Sequence, residues 1–417
     1  MNMPEYKMPP CQICREKTIG KGGNGTVYIA NDQQFVCKVF NVDDGLSKEK
    51  KEKRYKRFCQ EILTQKRLFG KINGVLPIED YSYTNSLLND KPAWFMMPKA
   101  ERFSVHKKKR LDEKLKDMIE LGQILAELHS LNIAHRDIKP DNILKYNNKI
   151  HLSDYGLVWI SGESKLTNVP ERMGPIKIIP PELESCEDIN GCDYMKSDVY
   201  LFAKVVWMYI KGDNGGFKGP YNRGASQIYL DSKKYNFESF EPLHEMMMEA
   251  TKDDWSKRSG ISDCLEYLKE QLLIVRGEIN NDELNKLKLK ENLDFFNCTV
   301  SSDYKVYEEV EKIRMLLDVI IPQTEIHIDD GPKRTTVKPK KYKYLTEEVV
   351  ALYEEQPDRR FKRTLINIIR AEIHKNEIVF ETSHIDNANI QGVIRERDVV
   401  FAGKVRLVVE CSFKDEE

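Results

Sequence analysis

The sequence predicts an α+β chain, and three observations point to it. β-rich runs crowd the start, helical periodicity fills the middle, and alternating apolar residues return near the end. A chain of 417 residues suggests two or three domains, and a hydrophobic content of 40% is enough to build cores. Lys plus Arg number 66 against 67 Asp plus Glu, a formal charge of -1, so bulk electrostatics make no case for a nucleic-acid partner. The 9 cysteines, an odd number without a disulfide framework, suit a reducing compartment. Cys11 and Cys14 form one CxxC, but no second pair answers it at zinc-ribbon spacing, so no metal is expected there. The start, MNMPEYKMPP, lacks the apolar core of a signal peptide, and the longest apolar run, Val199 to Ile210, is short and broken by Lys204. A cytoplasmic protein with no membrane segment is therefore expected.

The elements follow in order. Ile19 to Val27 reads IGKGGNGTV, in which Gly20, Gly22 and Gly25 fit GxGxxG. Glycines let backbone pass close over a polyphosphate and turn its amides toward the charge. In a dinucleotide fold the last glycine opens a helix. Here Thr26, Val27, Tyr28 and Ile29 continue as a β-rich run, which predicts a loop between antiparallel strands. A second such run, Phe35 to Phe40, places Lys38 among apolar neighbours, where an ammonium needs phosphate oxygens and a carboxylate. Glu61, on a helix predicted over Tyr55 to Phe69, is the natural partner; Glu52 competes but sits among lysines. Ala93 to Ala100 (AWFMMPKA) reads as a strand, and Leu115, Met118, Ile119, Leu125 and Leu128 recur at helical spacing. Next come HRDIKPDN from His135 to Asn142 and DYG from Asp154 to Gly156. A carboxylate that can orient a hydroxyl, followed by an amide and a second carboxylate that can hold metal, suits phosphoryl transfer to an alcohol.

Together the glycine loop, Lys38, Glu61, HRDIKPDN, DYG and PPE (Pro180, Pro181, Glu182) resemble the eukaryotic-type protein kinase family, roughly from Thr18 to Leu273. The resemblance implies a bilobal fold: an antiparallel-sheet small lobe over 12–98 and a mainly helical large lobe over 99–275. It implies ATP and Mg2+ as cofactors and a protein as substrate. Asp137 would orient the substrate hydroxyl, and Lys139 would stabilise the transferring phosphoryl group. Asn142 and Asp154 would hold the metal. Ile19, Gly20, Gly22, Gly25, Val27, Lys38, Glu61, Met97, Lys99 and Ala100 would surround the nucleotide, with Met97 as gatekeeper and Pro98 to Ala100 as hinge. His135 would be structural, Asp198 would brace the catalytic loop, and Glu182 would pair with Arg258. Ser161, Ser164 and Thr167 would be candidate phosphate acceptors in the activation loop, and Arg136 would pair with such a phosphate, the alternative being plain loop hydroxyls.

Two features pull apart on the accepted hydroxyl. Lys139 in DIKPDN resembles the serine/threonine group, whereas Pro175 in GPIKIIPPE stands where that group has threonine and resembles the tyrosine kinases. Lys139 touches the chemistry, so serine/threonine is the expectation. The alternatives are a tyrosine or dual-specificity kinase, a small-molecule kinase, and an inactive pseudokinase scaffold. The last conflicts with the presence of every motif residue.

Past Ile274 the resemblance stops. Helices are predicted over Asn281 to Glu291 and Tyr304 to Val319, and a proline-bearing basic linker over Asp329 to Lys343, within an extension at 276–343. A small α+β domain follows at 344–417. Its helices are expected over Thr346 to Glu355 and Arg359 to His374, and its strands over Ile378 to Thr382 and Val399 to Phe413. The basic runs Lys48 to Arg57 and His106 to Arg110, and the cluster Arg359, Arg360, Lys362 and Arg363, read as solvated faces. Oligomeric state is not legible.

Overall fold

A computed structural model describes residues 7–9, 13–22, 25–30, 33–41, 45–88, 91–160, 177–184 and 191–280. Beyond these it describes 284, 287–288, 291, 305–307, 313–314, 317, 326–329, 334–337, 339, 341–346, 349–357, 361–373, 377–383, 399–400 and 406–410. Cys11, Ser161, Ser164, Thr167 and Pro175 lie outside the described residues. The chain divides into two compact units, Met1–Asn222 with Pro242–Glu278, and Arg223–Glu241 with Ile279–Glu417.

The first unit opens with a 5-stranded antiparallel sheet in the order β1-β2-β3-β5-β4. Its strands are β1 (Ile13–Gly22), β2 (Gly25–Ala30), β3 (Phe35–Val39), β4 (Asp80–Ser82) and β5 (Trp94–Pro98). Helix α1 (Lys48–Leu68) packs Tyr55, Phe58 and Ile62 against Phe40, Ala93 and Phe95. The helix begins earlier than its apolar spacing suggested, because Ser47 caps it. The basic run is exposed from Lys48 to Lys50 and again at Lys56, half-buried from Lys51 to Arg54, and at Arg57 it borders a cavity together with Lys38 and Glu61. The sequence signal covered only the half of the helix that has a core to face.

Short strands and helices follow: β6 (Glu101–Arg102), α2 (Leu111–Ser130), β7 (Ile133–Ala134), β8 (Ile143–Tyr146), β9 (Lys149–Leu152), β10 (Trp159–Ile160), α3 (Pro181–Glu184) and α4 (Tyr194–Lys211). Helices α5 (Glu241–Ala250) and α6 (Ile261–Arg276) come next, and Gly277 ends α6 in a left-handed cap, close to the predicted end of the large lobe. α2 presents Leu115, Met118, Leu121, Leu125 and Leu128 to the interior. α4 is buried along almost its whole length, which is why its sequence is apolar all round. Lys204 is buried with it and is held by the carbonyls of Phe217 and Gly219. No helix among the described residues is long and apolar enough to cross a membrane.

The second unit holds a 9-stranded sheet. Its strands are β11 (Lys305–Tyr307), β12 (Ile326–Asp329), β13 (Arg334–Val337), β14 (Lys341–Tyr344), β15 (Val349–Glu355), β16 (Phe361–Ile373), β17 (Glu377–Ser383), β18 (Val399–Val400) and β19 (Arg406–Glu410). The main order is β13-β12-β19-β17-β16-β15-β14, with β11 and β18 also pairing to β16. The strand predicted over Ile378 to Thr382 lies within β17, and the span Val399 to Phe413 contains β18 and β19, its other residues lying outside those described.

The helices expected over Thr346 to Glu355 and Arg359 to His374 are instead β15 and β16, paired antiparallel with Val350 opposite Ile366 and Ala351 opposite Leu365. Val349, Val350, Ala351 and Leu352 are all buried, so both faces of β15 are covered and no alternation shows in the sequence. Arg363, read as part of an exposed helix face, is a buried strand residue. The described part of the basic linker is β13 and β14, the terminal strands of the main order, with Lys341 and Lys343 on β14. Of the span Tyr304 to Val319, Lys305–Tyr307 is a strand, while Ile313, Arg314 and Leu317 are helical. Leu284, Leu287, Lys288 and Glu291 are helical as expected.

Candidate nucleotide and phosphoryl-transfer site

The β1–β2 hairpin brings its glycines together at the tip, with Gly20 opposite Val27 and Gly22 opposite Gly25. At Gly25 a Cβ would stand 2.7 Å from the Val39 carbonyl oxygen, so the close approach of β3 requires glycine. β3 carries Lys38 between Val27 of β2 and Phe95 of β5. The ammonium lies 2.6 and 2.7 Å from the two Glu61 oxygens, delivered by α1, and 5.8 Å from the ring centres of Phe58 and Phe95. Glu61, not Glu52, is therefore the partner. Burial pushes the Glu61 carboxyl up to about 7, against the pull of Lys38. Burial works to lower Lys38, but Asp154, Glu61 and Asp137 together hold it above its ordinary value. Each charge of the pair is tolerable because the other is present.

The HRD segment is hung from Asp198 on α4. The carboxylate accepts the His135 N–H at 2.6 Å and the Arg136 N–H at 2.7 Å, with His129 Nε2 at 3.2 Å. Arg136 adopts a left-handed φ of 67°, which turns the chain sharply after these two amides. His135 Nδ1 accepts the Asp137 N–H at 3.3 Å, so its Nε2–H donates to the Ser153 carbonyl at 3.1 Å. The imidazole thus ties the HRD segment to the strand that leads into Asp154. Tyr155 packs edge-on against it, with ring centres 5.2 Å apart.

Asp137 sits in a knot of donors. Lys139 Nζ reaches its Oδ2 at 2.7 Å, and Asn142 Nδ2 donates to both Oδ2 and the backbone carbonyl at 2.8 Å. Burial raises the Asp137 carboxyl, opposed by Lys139. For Asp154 burial again pushes upward, but Lys38, His135, Lys139 and the Gly156 N–H outweigh it and hold the carboxyl below its usual range. Two carboxylates in one site are thus driven apart, one toward accepting a proton and one toward staying ionised. Because the Asn142 amide nitrogen is committed to Asp137, its oxygen is the group left for a cation. That oxygen and the ionised Asp154 fit a hard divalent ion that takes its other ligands from phosphate and water.

These groups line one cavity of about 620 Å³. Ile19, Gly20, Gly25, Val27, Lys38, Glu61, Met97, Ala100, Asp137, Lys139, Asn142 and Asp154 all border it. Lys99 is not among these lining residues; it is exposed, and its N–H donates to the Gln34 carbonyl at 2.7 Å. The sequence reading missed Val36, Leu144 and Arg102 on the wall. Val36 lies two residues before Lys38 on the same strand face, a signal that was available. Leu144 and Arg102 face each other across the β6–β8 pair, which no local pattern announces. The cavity therefore combines apolar wall at Val27, Val36, Met97 and Leu144 with a charged group at Lys38, Asp137 and Asp154, as a purine linked to a polyphosphate requires.

Comparison with known proteins points the same way. The family model described as protein kinase domain matches residues 13–273. A protein of Acanthamoeba polyphaga mimivirus named as a serine/threonine-protein kinase is 29% identical over 170 residues, covering 40% of this chain and 59% of its own. Calcium-dependent protein kinase 3 of Plasmodium yoelii yoelii is 27% identical over 316 residues, 72% of this chain and 52% of its own. The Aurora kinase of Schizosaccharomyces pombe is 26% identical over 280 residues, 59% and 74%. The chain spans 59% or less of the length of the first of these relatives. With the matched model covering most of the chain and its motif residues meeting in one cavity, the chain belongs to the protein kinase domain family.

Proposed function

We propose that this chain transfers the γ-phosphate of ATP to a serine or threonine hydroxyl of a protein substrate. The observation that carries the reading is the Asp137 knot: a carboxylate gripped by Lys139 and Asn142, raised in proton affinity, beside an Asp154 held ionised. In this reading Asp137 orients the incoming hydroxyl and takes up its proton as the oxygen attacks. Lys139, already on Asp137, meets the charge on the transferring group. Lys38, steadied by Glu61, contacts the α and β phosphates, while Val36, Met97 and Leu144 enclose the base. Asn142 and Asp154 hold Mg2+, which when bound neutralises charge on the phosphate oxygens.

Lys139 and the names of the relatives support serine or threonine as acceptor. The balanced charge and reducing-compartment cysteine content support a cytoplasmic protein substrate rather than nucleic acid. A scaffold without catalysis finds no support in a site where Lys38, Asp137, Lys139, Asn142 and Asp154 are all present and border one cavity. Incubation with labelled ATP and magnesium, followed by phosphosite mapping, tests the proposal. Label should enter serine or threonine in a protein acceptor and be lost in D137A and K38A. Label on tyrosine, on a small alcohol, or surviving in D137A would overturn it.

A further inference from the structure

Ile19 lies at a register shift in the β1–β2 ladder: Thr18 pairs with Tyr28, and the following pair is Gly20 with Val27. A bulged residue falls out of the ladder, so its backbone carbonyl needs a donor from elsewhere. Arg102 supplies one. Its Nη2 donates to the Ile19 carbonyl at 2.5 Å, joining residues 83 apart in sequence. The guanidinium lies directly over Gly20, where a Cβ would stand 2.5 Å from Nη2. Glycine at that position therefore makes room for Arg102 as well as for any phosphate.

The two ends of this bridge differ in rigidity. Arg102 pairs with Leu144 in the β6–β8 ladder, and the next residue, Phe103, donates its N–H to the Ile143 carbonyl at 3.2 Å. Strand β8 runs directly on from Asn142, so the anchor is part of the cavity wall. The other end is the irregular start of the glycine loop. Ile19, Gly20, Arg102 and Leu144 all border the cavity. The bond is exposed to solvent and can open and re-form without unfolding anything.

We propose that Arg102 is a positioning residue for the nucleotide: it straps the bulged start of the glycine loop to the cavity wall and so slows nucleotide release. The inference rests on the nucleotide-binding reading above and adds the residue that sets its dwell time. Arg102 takes no part in the transfer itself; it acts through the loop.

The test is the release of a fluorescent ADP analogue from the full chain in the presence of magnesium, followed by stopped flow. R102A should release it about fivefold faster, the loss expected for one exposed charge-assisted bond. The KM for ATP should rise by a similar factor, kcat should not fall, and the thermal midpoint should stay unchanged. G20A should act in the same direction because its methyl displaces the guanidinium, and R102K should recover part of the wild-type dwell. An R102A release rate within about twofold of wild type overturns the strap. A wild-type chain that retains no ADP analogue overturns the nucleotide reading itself, so the two failures are distinguishable.

Discussion

Asp137 and Asp154 are both buried carboxylates facing one cavity, and what separates them is the set of neighbours each has been given. Asp137 faces Lys139 and an amide; Asp154 faces Lys38, His135 and Lys139 together, with the Gly156 N–H added. D137N keeps the shape and an acceptor oxygen for Lys139 but cannot take a proton. It should lower kcat by about 10³-fold while ADP affinity stays within a few-fold, measured by steady-state transfer and by calorimetry. Glu61 gives a pH prediction with two opposite signs. Its folded-state affinity for a proton is raised by burial to about 7 from 4.5, so its contribution to stability is greatest below 4.5 and is lost as pH rises through 7. The pair with Lys38 needs the carboxylate form, so nucleotide affinity should rise across the same window. Titrating ADP affinity between about pH 5 and pH 8 checks this, with E61Q expected to be weak and to lose the slope. A slope that persists in E61Q assigns it to a different group.

At the scale of elements, the large lobe is pinned by an ion pair that was foreseen from sequence and is fully buried. Arg258 Nη1 and Nη2 lie 2.5 and 2.9 Å from the two Glu182 oxygens, Ser197 donates to Glu182 at 2.6 Å, and Arg258 Nε donates to the Lys252 carbonyl at 2.6 Å. Removing one partner leaves the other charge buried. E182A should therefore cost about 3–5 kcal/mol in chemical denaturation, far more than the loss of an exposed pair. The motif residues of both lobes were legible through the family resemblance they carry, because each such position asks for a particular group: Lys38, Glu61, Asp137, Asn142, Asp154 and Asp198. β15 and β16 were misread because burial alone is asked of them. Val349, Val350, Ala351 and Leu352 form an unbroken apolar run, which a helix and a doubly covered strand satisfy equally. The β-branched content of Val349, Val350, Thr364, Ile366 and Ile368 was the local hint, outweighed by apparent helical spacing. Contacts across elements, such as Arg102 with Ile19, leave no trace in either stretch of sequence.

At the scale of the whole molecule, the boundary between units does not follow the family match. Residues 223–241 fall inside the matched span 13–273, yet they belong to the second unit with everything past residue 279. Within that unit Arg223 and Glu241 form a buried pair at 2.6 and 3.0 Å. Glu291 Oε2 accepts the Ser239 hydroxyl at 2.5 Å and the Phe240 N–H at 3.0 Å. Ser239 and Phe240 are fully buried, so both donors depend on a carboxylate that lies outside the matched region. A chain ending at Glu278 would strip that acceptor from two buried donors, at a cost of about 1–3 kcal/mol each. Hydrogen exchange should then show amides of 223–241 losing at least about tenfold in protection, and E291A in the full chain should shift the same segment in the same direction by less. Protection unchanged in both would mean that the segment draws its stability from residues before 279 alone. On this reading a fragment cut at the family boundary should be less stable than the full chain, although it keeps every motif residue from Gly20 to Arg258.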